Sequence, residues 1–428
     1  MRFEELPPPE QLVQVMDRIY RQGLTTTSGG NLSVRGPGGE LWITPSGVDK
    51  GALTPGDIVR VTPDGRTEGR HRPSVELPFH EVVYQSRPDL HGIVHAHSAG
   101  LVAFSLVRRV PDTTLVLGAR AACGAVGLAG YGLPGSDALG ARIGETFGSG
   151  CDAVVLENHG AVAGGRDLGR AFAAFEALEL CARIEIEARR IGAPVGLTDE
   201  QLRLSEVHEA AELEERAAHA PDAEERRARE EAVAFVRRAC AHGLFGSAHG
   251  AVSVRLGGDA FLVTPAARDR LSLEPEDLVR IDGGRREAGT RPDPSARFHA
   301  ALYARHPDVS AAIVACPPSL AAFAVTAEPF DTRTIPECYI VLREVPKLPF
   351  GATFLDAEAT AARLTPAAPV AIVQNEGTIA TGGSLLQAFD RLEVAEHSAR
   401  ALIACRSLGE RVPIGDAEID EIRRAFRL

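Results

Sequence analysis

The chain writes one module twice, and that repetition constrains its fold more than any single motif. "GNLSVR" at 30–35 returns as "GAVSVR" at 250–255, and "LWITPSGVDKGALTPGDIVRV" (41–61) returns as "FLVTPAARDRLSLEPEDLVRI" (261–281). "RPSVELPFHEVVYQSRPDL" (72–90) is answered by "RPDPSARFHAALYARHPDV" (291–309), and "LENHGAVAGG" (156–165) by "VQNEGTIATG" (373–382). Order and spacing agree apart from small insertions and deletions. Two copies of one fold are therefore expected, at residues 1–218 and 222–428. Between them, residues 198–231 are rich in Ala, Glu and Arg, which predicts exposed helix broken near Pro221.

With 428 residues, each copy has enough chain to bury its own core. A hydrophobic share of 44% beside 24% charged residues is that of a globular chain, and the formal charge of -12 argues against a nucleic-acid partner. The 7 cysteines are scattered and form no C-x-x-C pair, which fits reduced thiols better than a disulfide framework. "MRFEELPPPEQ" is acidic and lacks the apolar stretch of a signal peptide, and no apolar run is long enough to span a bilayer. A soluble, cytoplasmic protein with no membrane partner is expected.

Hydrophobic periods place the elements of the first copy. "PEQLVQVMDRIYRQ" has a helical period and stops at Gly23, a C-terminal cap. "NLSVR" and "ELWITP" read as strands around a "GPGG" turn, and "VELPFHEVVYQSR" reads as an amphipathic helix ending before Pro88. "GIVHAH" is expected to be a buried strand followed by the helix "SAGLVAFSLV", and "DAVVLENHG" a second buried strand running to His159 and Gly160. "DLGRAFAAFEALELCARIEIEARRI" is a long helix with Leu168, Phe172 and Phe175 on one face, kept in copy two as Leu385, Phe389 and Leu392. The sum is an α/β module with its polar signatures at strand ends.

Positions i and i+2 of a strand share a face, so His95 and His97 in "IVHAHSAG" project together. Two such imidazoles suit a zinc-like ion, and His159 offers a third ligand from the other strand. For an H-x-H alone, two core histidines bonded to carbonyls would be the better reading. Glu76 in "RPSVE" opens a helix, where a carboxylate complements the dipole; beside a metal it is a candidate general base. "TTTSGGN" (25–31) is either a plain turn or an anion nest of N–H groups, hydroxyls and the Asn31 amide. "TPSG" (44–47) and Ser74 offer the same chemistry, without the spacing or lysine of a P-loop.

Copy two serves as a control. Aligned on the shared motifs, His95 becomes Val314, His97 Cys316, His159 Glu376, Glu76 Ser295, Asn31 Ala251, and Ser46-Gly47 Ala266-Ala267. Ser33, Val34, Arg35, Phe79 and His80 persist as Ser253, Val254, Arg255, Phe298 and His299. A fold that survives losing all three histidines does not need them for packing. They are read as ligands, and the retained His80 as scaffold.

As a group, "GGNLSVR", "ITPSG", "RPSVE", "HAHS" and "NHG" closely resemble the class II aldolase/adducin family, which includes the fuculose-phosphate aldolases. The resemblance covers copy one and, in degraded form, copy two. It implies a three-layer αβα fold with a mixed, largely antiparallel sheet. It also implies a divalent ion on His95, His97 and His159, zinc foremost, with Mn²⁺, Fe²⁺ or Co²⁺ as alternatives. Glu76 is then the acid/base, and Gly30, Asn31, Ser46, Gly47 and Ser74 form a phosphate cradle. The implied reaction is retro-aldol cleavage of a ketose phosphate through a metal-stabilised enediolate.

Two departures stand out. Val75 occupies the place of a second serine in the sugar-phosphate aldolases, and "PDTTLVLGAR" holds no counterpart of their catalytic tyrosine, Tyr131 matching a different one. Family epimerases carry Asp at the Glu76 position and rank lower; decarboxylation of a 3-oxo acid phosphate is the stronger rival. An adducin-like, metal-free binding module fits copy two but not copy one. The same resemblance implies that single-copy relatives are typically four-fold tetramers with sites at subunit interfaces. By resemblance, a homo-oligomer is expected, a dimer of two-copy chains standing for the tetramer and copy two acting as pseudo-subunit.

Overall fold

The first helix, α1 (Pro8–Arg21), buries Leu12, Val15, Met16 and Ile19 and hands over to Gly23, whose φ of 68° suits a glycine. In this computed structural model, which describes residues 3–209 and 213–428, β1 (Asn31–Arg35) and β2 (Leu41–Ile43) pair antiparallel across the "GPGG" turn. β3 (Val59–Val61), β4 (Thr67–Glu68), α2 (Leu77–Ser86), β5 (Gly92–Ala96), α3 (Ala99–Leu106) and α4 (Ala119–Cys123) follow. β6 (Val126–Ala129), α5 (Asp137–Gly148), β7 (Ala153–Leu156), β8 (Gly160–Gly165) and α6 (Leu168–Ile191) complete the copy. Its eight strands form one sheet in the order β4-β3-β2-β1-β5-β8-β7-β6, antiparallel except for β6 with β7.

β5 is buried along its whole length, as expected of a central strand with both faces covered. Ile93 joins Ile43, Val59 and Val154 in a core closed by Phe79 and Val83 of α2 and by Ile143 and Phe147 of α5. Burying each such side chain contributes roughly 1.5–3 kcal/mol. In α6, Leu168, Phe172 and Phe175 are all buried, the face that its period predicts. Two strands end earlier than expected. β7 stops at Leu156, residues 157–159 turn with Asn158 at φ 55°, and Gly160 already opens β8. β5 stops at Ala96, leaving His97 just beyond it.

Beyond that sheet the chain runs through α7 (Asp199–Glu209) and β9 (Glu215–Arg216), and the second copy opens with α8 (Ala223–Ala241), β10 (Ala251–Arg255), β11 (Phe261–Val263), β12 (Val279–Asp282) and β13 (Arg285–Glu287). It continues through α9 (Ala296–Arg305), β14 (Ala311–Ala315), α10 (Pro318–Ala324), α11 (Pro336–Leu342), β15 (Lys347–Leu348) and α12 (Ala357–Arg363). β16 (Val370–Val373), β17 (Gly377–Gly382), α13 (Leu385–Cys405) and α14 (Asp416–Phe426) end it. Its sheet order, β15-β16-β17-β14-β10-β11-β12-β13-β9, repeats the first strand for strand and adds β9 at one edge. The 198–231 stretch is helical on both sides of Pro221, with residues 210–212 outside the described ones. Its composition hid β9, which pairs parallel with β13. The chain forms two compact units: residues through Thr113 with Gly118–Arg183, and Thr114–Leu117 with Ile184–Leu428. Among the described residues, no helix is long and apolar enough to cross a membrane.

Both copies keep one buried polar network, which explains the persistence of "SVR". Ser33 Oγ lies 2.7 Å from His80 Nδ1 and 2.9 Å from the Tyr84 hydroxyl; Ser253 Oγ lies 2.7 Å from both His299 Nδ1 and the Tyr303 hydroxyl. Arg35 and Arg255 cover the tyrosine rings and donate to carbonyls at the end of the following helix. Burial pushes His299 from its ordinary 6.5 down to about 3, so unfolding takes up a proton anywhere between those values. Stability from this site is present above pH 6.5 and is lost as pH falls toward 3. At pH 5 one such group costs about 2 kcal/mol. Denaturant titrations should show a stability loss between pH 7 and pH 5 that is smaller in His299→Gln; equal losses would contradict the assignment.

Candidate metal centre and active site

The end of β5 and the β7–β8 turn bring three imidazoles to one point. His95, fully buried, has Nδ1 3.0 Å from the Ala161 carbonyl; Nδ1 must donate, which leaves Nε2 with its lone pair. That nitrogen faces His97 Nε2 at 3.1 Å, and one ligand atom from each of His95, His97 and His159 lies within 4.8 Å of the others. Burial, with His95 nearby, pushes His97 down to about 3 and His159 to about 4, so both rings are neutral near pH 7, as ligation requires. Lone pairs this close repel unless a proton or a cation lies between them. The all-nitrogen set fits zinc and its first-row neighbours. Among the described residues, copy two forms no such group.

Glu76 sits at the N-cap of α2, yet its carboxylate caps nothing there. Oε2 accepts from Asn31 Nδ2 at 2.8 Å and stands 3.2 Å from His95 Nε2. Oε1 lies 3.5 Å from His159 Nε2 and is buried without a hydrogen-bond partner. Burial alone would raise this carboxyl; positive charge on the His95 and His159 cluster, with the Asn31 amide, outweighs it and holds it well below the usual carboxylate range. Asn31 Oδ1 in turn accepts from His80 Nε2 at 2.6 Å. The neutral His80 ring, kept so by burial, then accepts a hydrogen bond from the Ser33 hydroxyl at Nδ1. His80 is therefore more than the scaffold residue expected from its retention: it sets the orientation of the Asn31 amide. In copy two the same ring ends on Ser295 Oγ at 3.1 Å.

Of the expected cradle, Gly30, Asn31 and Ser74 border this cluster directly. Gly30 has φ 72°, and a Cβ there would sit 2.6 Å from the His95 carbonyl, so the loop passes only as glycine. Ser74 Oγ accepts from the Glu76 N–H at 3.3 Å. Ser46 and Gly47 are brought alongside by the bridge of Pro45 with Pro73 and by the Ser46 N–H on the Arg72 carbonyl. The Asn31 side chain is engaged at both ends, by Glu76 and His80. Val75 and Tyr131 point to the surface, 65% and 54% exposed.

A buried glutamate also carries weight that its sequence position did not reveal. Glu179, buried in α6, accepts from Ser98 Oγ (2.7 Å) and from the N–H groups of Gly100 (3.2 Å) and Leu101 (3.0 Å), capping α3 directly after His97. Glu396 caps α10 in the same way through Ser319 and Leu320. The signal was present: a glutamate at one place in both long, otherwise apolar helix faces.

The family described as "Class II Aldolase and Adducin N-terminal domain" matches residues 10–186 and again 230–403. The chain belongs to the class II aldolase and adducin family. It is 31% identical over 200 residues to the 5-deoxy-D-ribulose 1-phosphate aldolase of Bacillus thuringiensis serovar kurstaki, covering 45% of this chain and 91% of that protein. It is 31% identical over 182 residues to the 3-oxo-tetronate 4-phosphate decarboxylase of Escherichia coli O6:H1, covering 41% of this chain and 84% of that one. Among solved structures, an L-fuculose 1-phosphate aldolase is 33% identical, covers 46% of this chain and 93% of its own, and has a TM-score of 0.42. Class II aldolase-family enzymes depend on a divalent metal, and here the His95, His97 and His159 group is able to bind one.

Protein purified with zinc should carry one ion per chain by elemental analysis, and none in His95→Ala; two ions per chain would contradict the view of copy two. Glu179→Ala should cost about 1–3 kcal/mol by leaving buried N–H groups bare, and should weaken zinc retention because α3 follows His97. Glu396→Ala should cost a comparable amount with zinc content unchanged.

Proposed function

We propose that copy one, residues 1–218, is a metal-dependent lyase of the aldolase type acting on a phosphorylated ketose or related sugar. In the same proposal copy two, residues 222–428, is a degenerate, non-catalytic copy. The observation that carries it is the bare Glu76 Oε1, buried 3.5 Å from His159 Nε2 beside the three converging imidazoles. A divalent ion on His95, His97 and His159, zinc foremost, supplies Lewis acidity toward a substrate carbonyl. Glu76 is the proton carrier. Its Oε2 is held by Asn31, so Oε1 is the atom free to take a proton and return it. Burial keeps bulk water from competing for that proton. Gly30, Asn31, Ser46, Gly47 and Ser74 offer backbone N–H groups and hydroxyls to the phosphate and so fix the reacting carbons relative to Glu76.

A decarboxylase of a 3-oxo acid phosphate is the second reading. Loss of carbon dioxide needs no proton donor on the departing side, which agrees with an exposed Tyr131 and a segment 111–120 without tyrosine. A panel of phosphorylated and unphosphorylated ketoses and 3-oxo acids, given to zinc-loaded protein, separates the two. Whichever is turned over, Glu76→Gln should lower kcat at least about 100-fold with zinc retained. Full activity in that variant would remove Glu76 from the reaction.

A further inference from the structure

Lys50 is buried, yet its ammonium has no carboxylate. Its Nζ donates to the Pro45 carbonyl and its backbone N–H to the Thr27 carbonyl, so the residue ties together the two loops that line the cradle. Burial pushes it from 10.5 down to about 8. A buried cation served by one neutral carbonyl is costly unless an anion joins it.

Copy two shows what that anion looks like when it is built in. Arg270 replaces Lys50 and keeps the same anchors: its backbone N–H is on the Ser247 carbonyl, the counterpart of Thr27, and Nη1 is on the Pro265 carbonyl, the counterpart of Pro45. Its Nη2 lies 3.2 Å from a carboxylate oxygen of Asp293, and Asp293 stands where copy one has Ser74. The other walls of the pocket close with it. Thr25 becomes Phe245, whose ring lies over Gly250, and Gly29 becomes His249. In copy one those positions stay open. Thr25 Oγ1 is buried without a partner, close to the spaces that a Cβ on Gly29 or Gly30 would enter, at 2.9 and 3.3 Å. A Cβ on Gly29 would also stand 3.1 Å from His97 Nδ1, so this opening adjoins the histidine cluster.

We infer that Lys50 is the cation that meets the substrate's phosphate, with the Thr25 hydroxyl as a further donor, so that the site selects a dianionic sugar phosphate over the neutral sugar. Asp293 occupies in copy two the place that a phosphate takes in copy one. The inference rests on the sugar-lyase reading for the class of substrate, and it answers the question that Val75 raised: a cation replaces the lost hydroxyl.

The test is equilibrium binding, which needs no turnover. Zinc-loaded full-length protein is titrated calorimetrically with dihydroxyacetone phosphate and with dihydroxyacetone, as wild type, Lys50→Met, Lys50→Arg and Ser74→Asp. Lys50→Met should weaken the phosphate at least about tenfold and leave the neutral ketose unchanged, while Lys50→Arg keeps most of the preference. Ser74→Asp, which installs the copy-two carboxylate beside an intact Lys50, should abolish the preference with zinc retained, and it decides the matter if Lys50→Met does not fold. An unchanged preference in either variant overturns the inference, as does an equal loss of both ligands or a wild type that does not distinguish them. Failure of the reaction reading shows elsewhere, as undiminished turnover in Glu76→Gln, and leaves these affinities untouched.

Discussion

The pairing of β1 with β5 sets everything near the site. Its register puts Asn31 opposite His95 and Ser33 opposite Ile93, on the face that α2 covers. A slip of one residue would turn Asn31, Ser33 and their hydrogen bonds to the other side of the sheet. Gly30 locks that register from outside the strand, because only a residue without Cβ can lie against the His95 carbonyl. β10 and β14 repeat the register with Ala251 opposite Val314. The frame is therefore indifferent to the chemistry that it carries.

That frame and the site share one hydrogen-bond chain. It runs from Tyr84 through Ser33 and His80 to Asn31 and ends on Glu76. Each buried polar group satisfies the next, and the direction of the protons follows from the neutral ring in the middle. Copy two runs the same chain from Tyr303 through Ser253 and His299 to Ser295, which donates to Asp293 Oδ1 at 2.6 Å. Both chains end on a carboxylate, but Glu76 stands beside the imidazoles of copy one whereas Asp293 is engaged by Arg270. The backbone keeps a similar trace of the site: Ala267 still holds φ 51° where Gly47 has 71°, although alanine adopts that region at a cost of roughly 1–2 kcal/mol.

What was legible in the sequence follows from this sharing. Periodicity placed the helices and central strands because one face of each is apolar. The duplicated chain separated His95, His97 and His159 from the scaffold because the copies differ there together. The same logic is blind to residues that serve both. His80 and Glu179 persist in copy two, so comparison marks them as structural, yet one orients Asn31 and the other caps the helix that begins beside His97. Lys50 was hidden differently: a lysine aligned with an arginine looks unchanged, and only the carboxylate on Arg270 shows how their surroundings differ. The early ends of β5 and β7 were out of reach because the ladder stops where the chain turns, and "NHG" carries no apolar break to mark it.

Polar atoms left bare by the fold are where a ligand has most to gain. Copy one buries three beside its histidines, Glu76 Oε1, His159 Nδ1 and Thr25 Oγ1, all without partners. Each costs about 1–3 kcal/mol while nothing meets it. At the equivalent positions copy two has Ser295, hydrogen-bonded to Asp293 and near His299; Glu376, its carboxylate folded onto Gly351 and Thr353; and Phe245, which has no polar atom to satisfy. Burial raises Glu376 to about 7, so much of its charge is given up as well. Copy two has thus relieved locally the cost that copy one still carries.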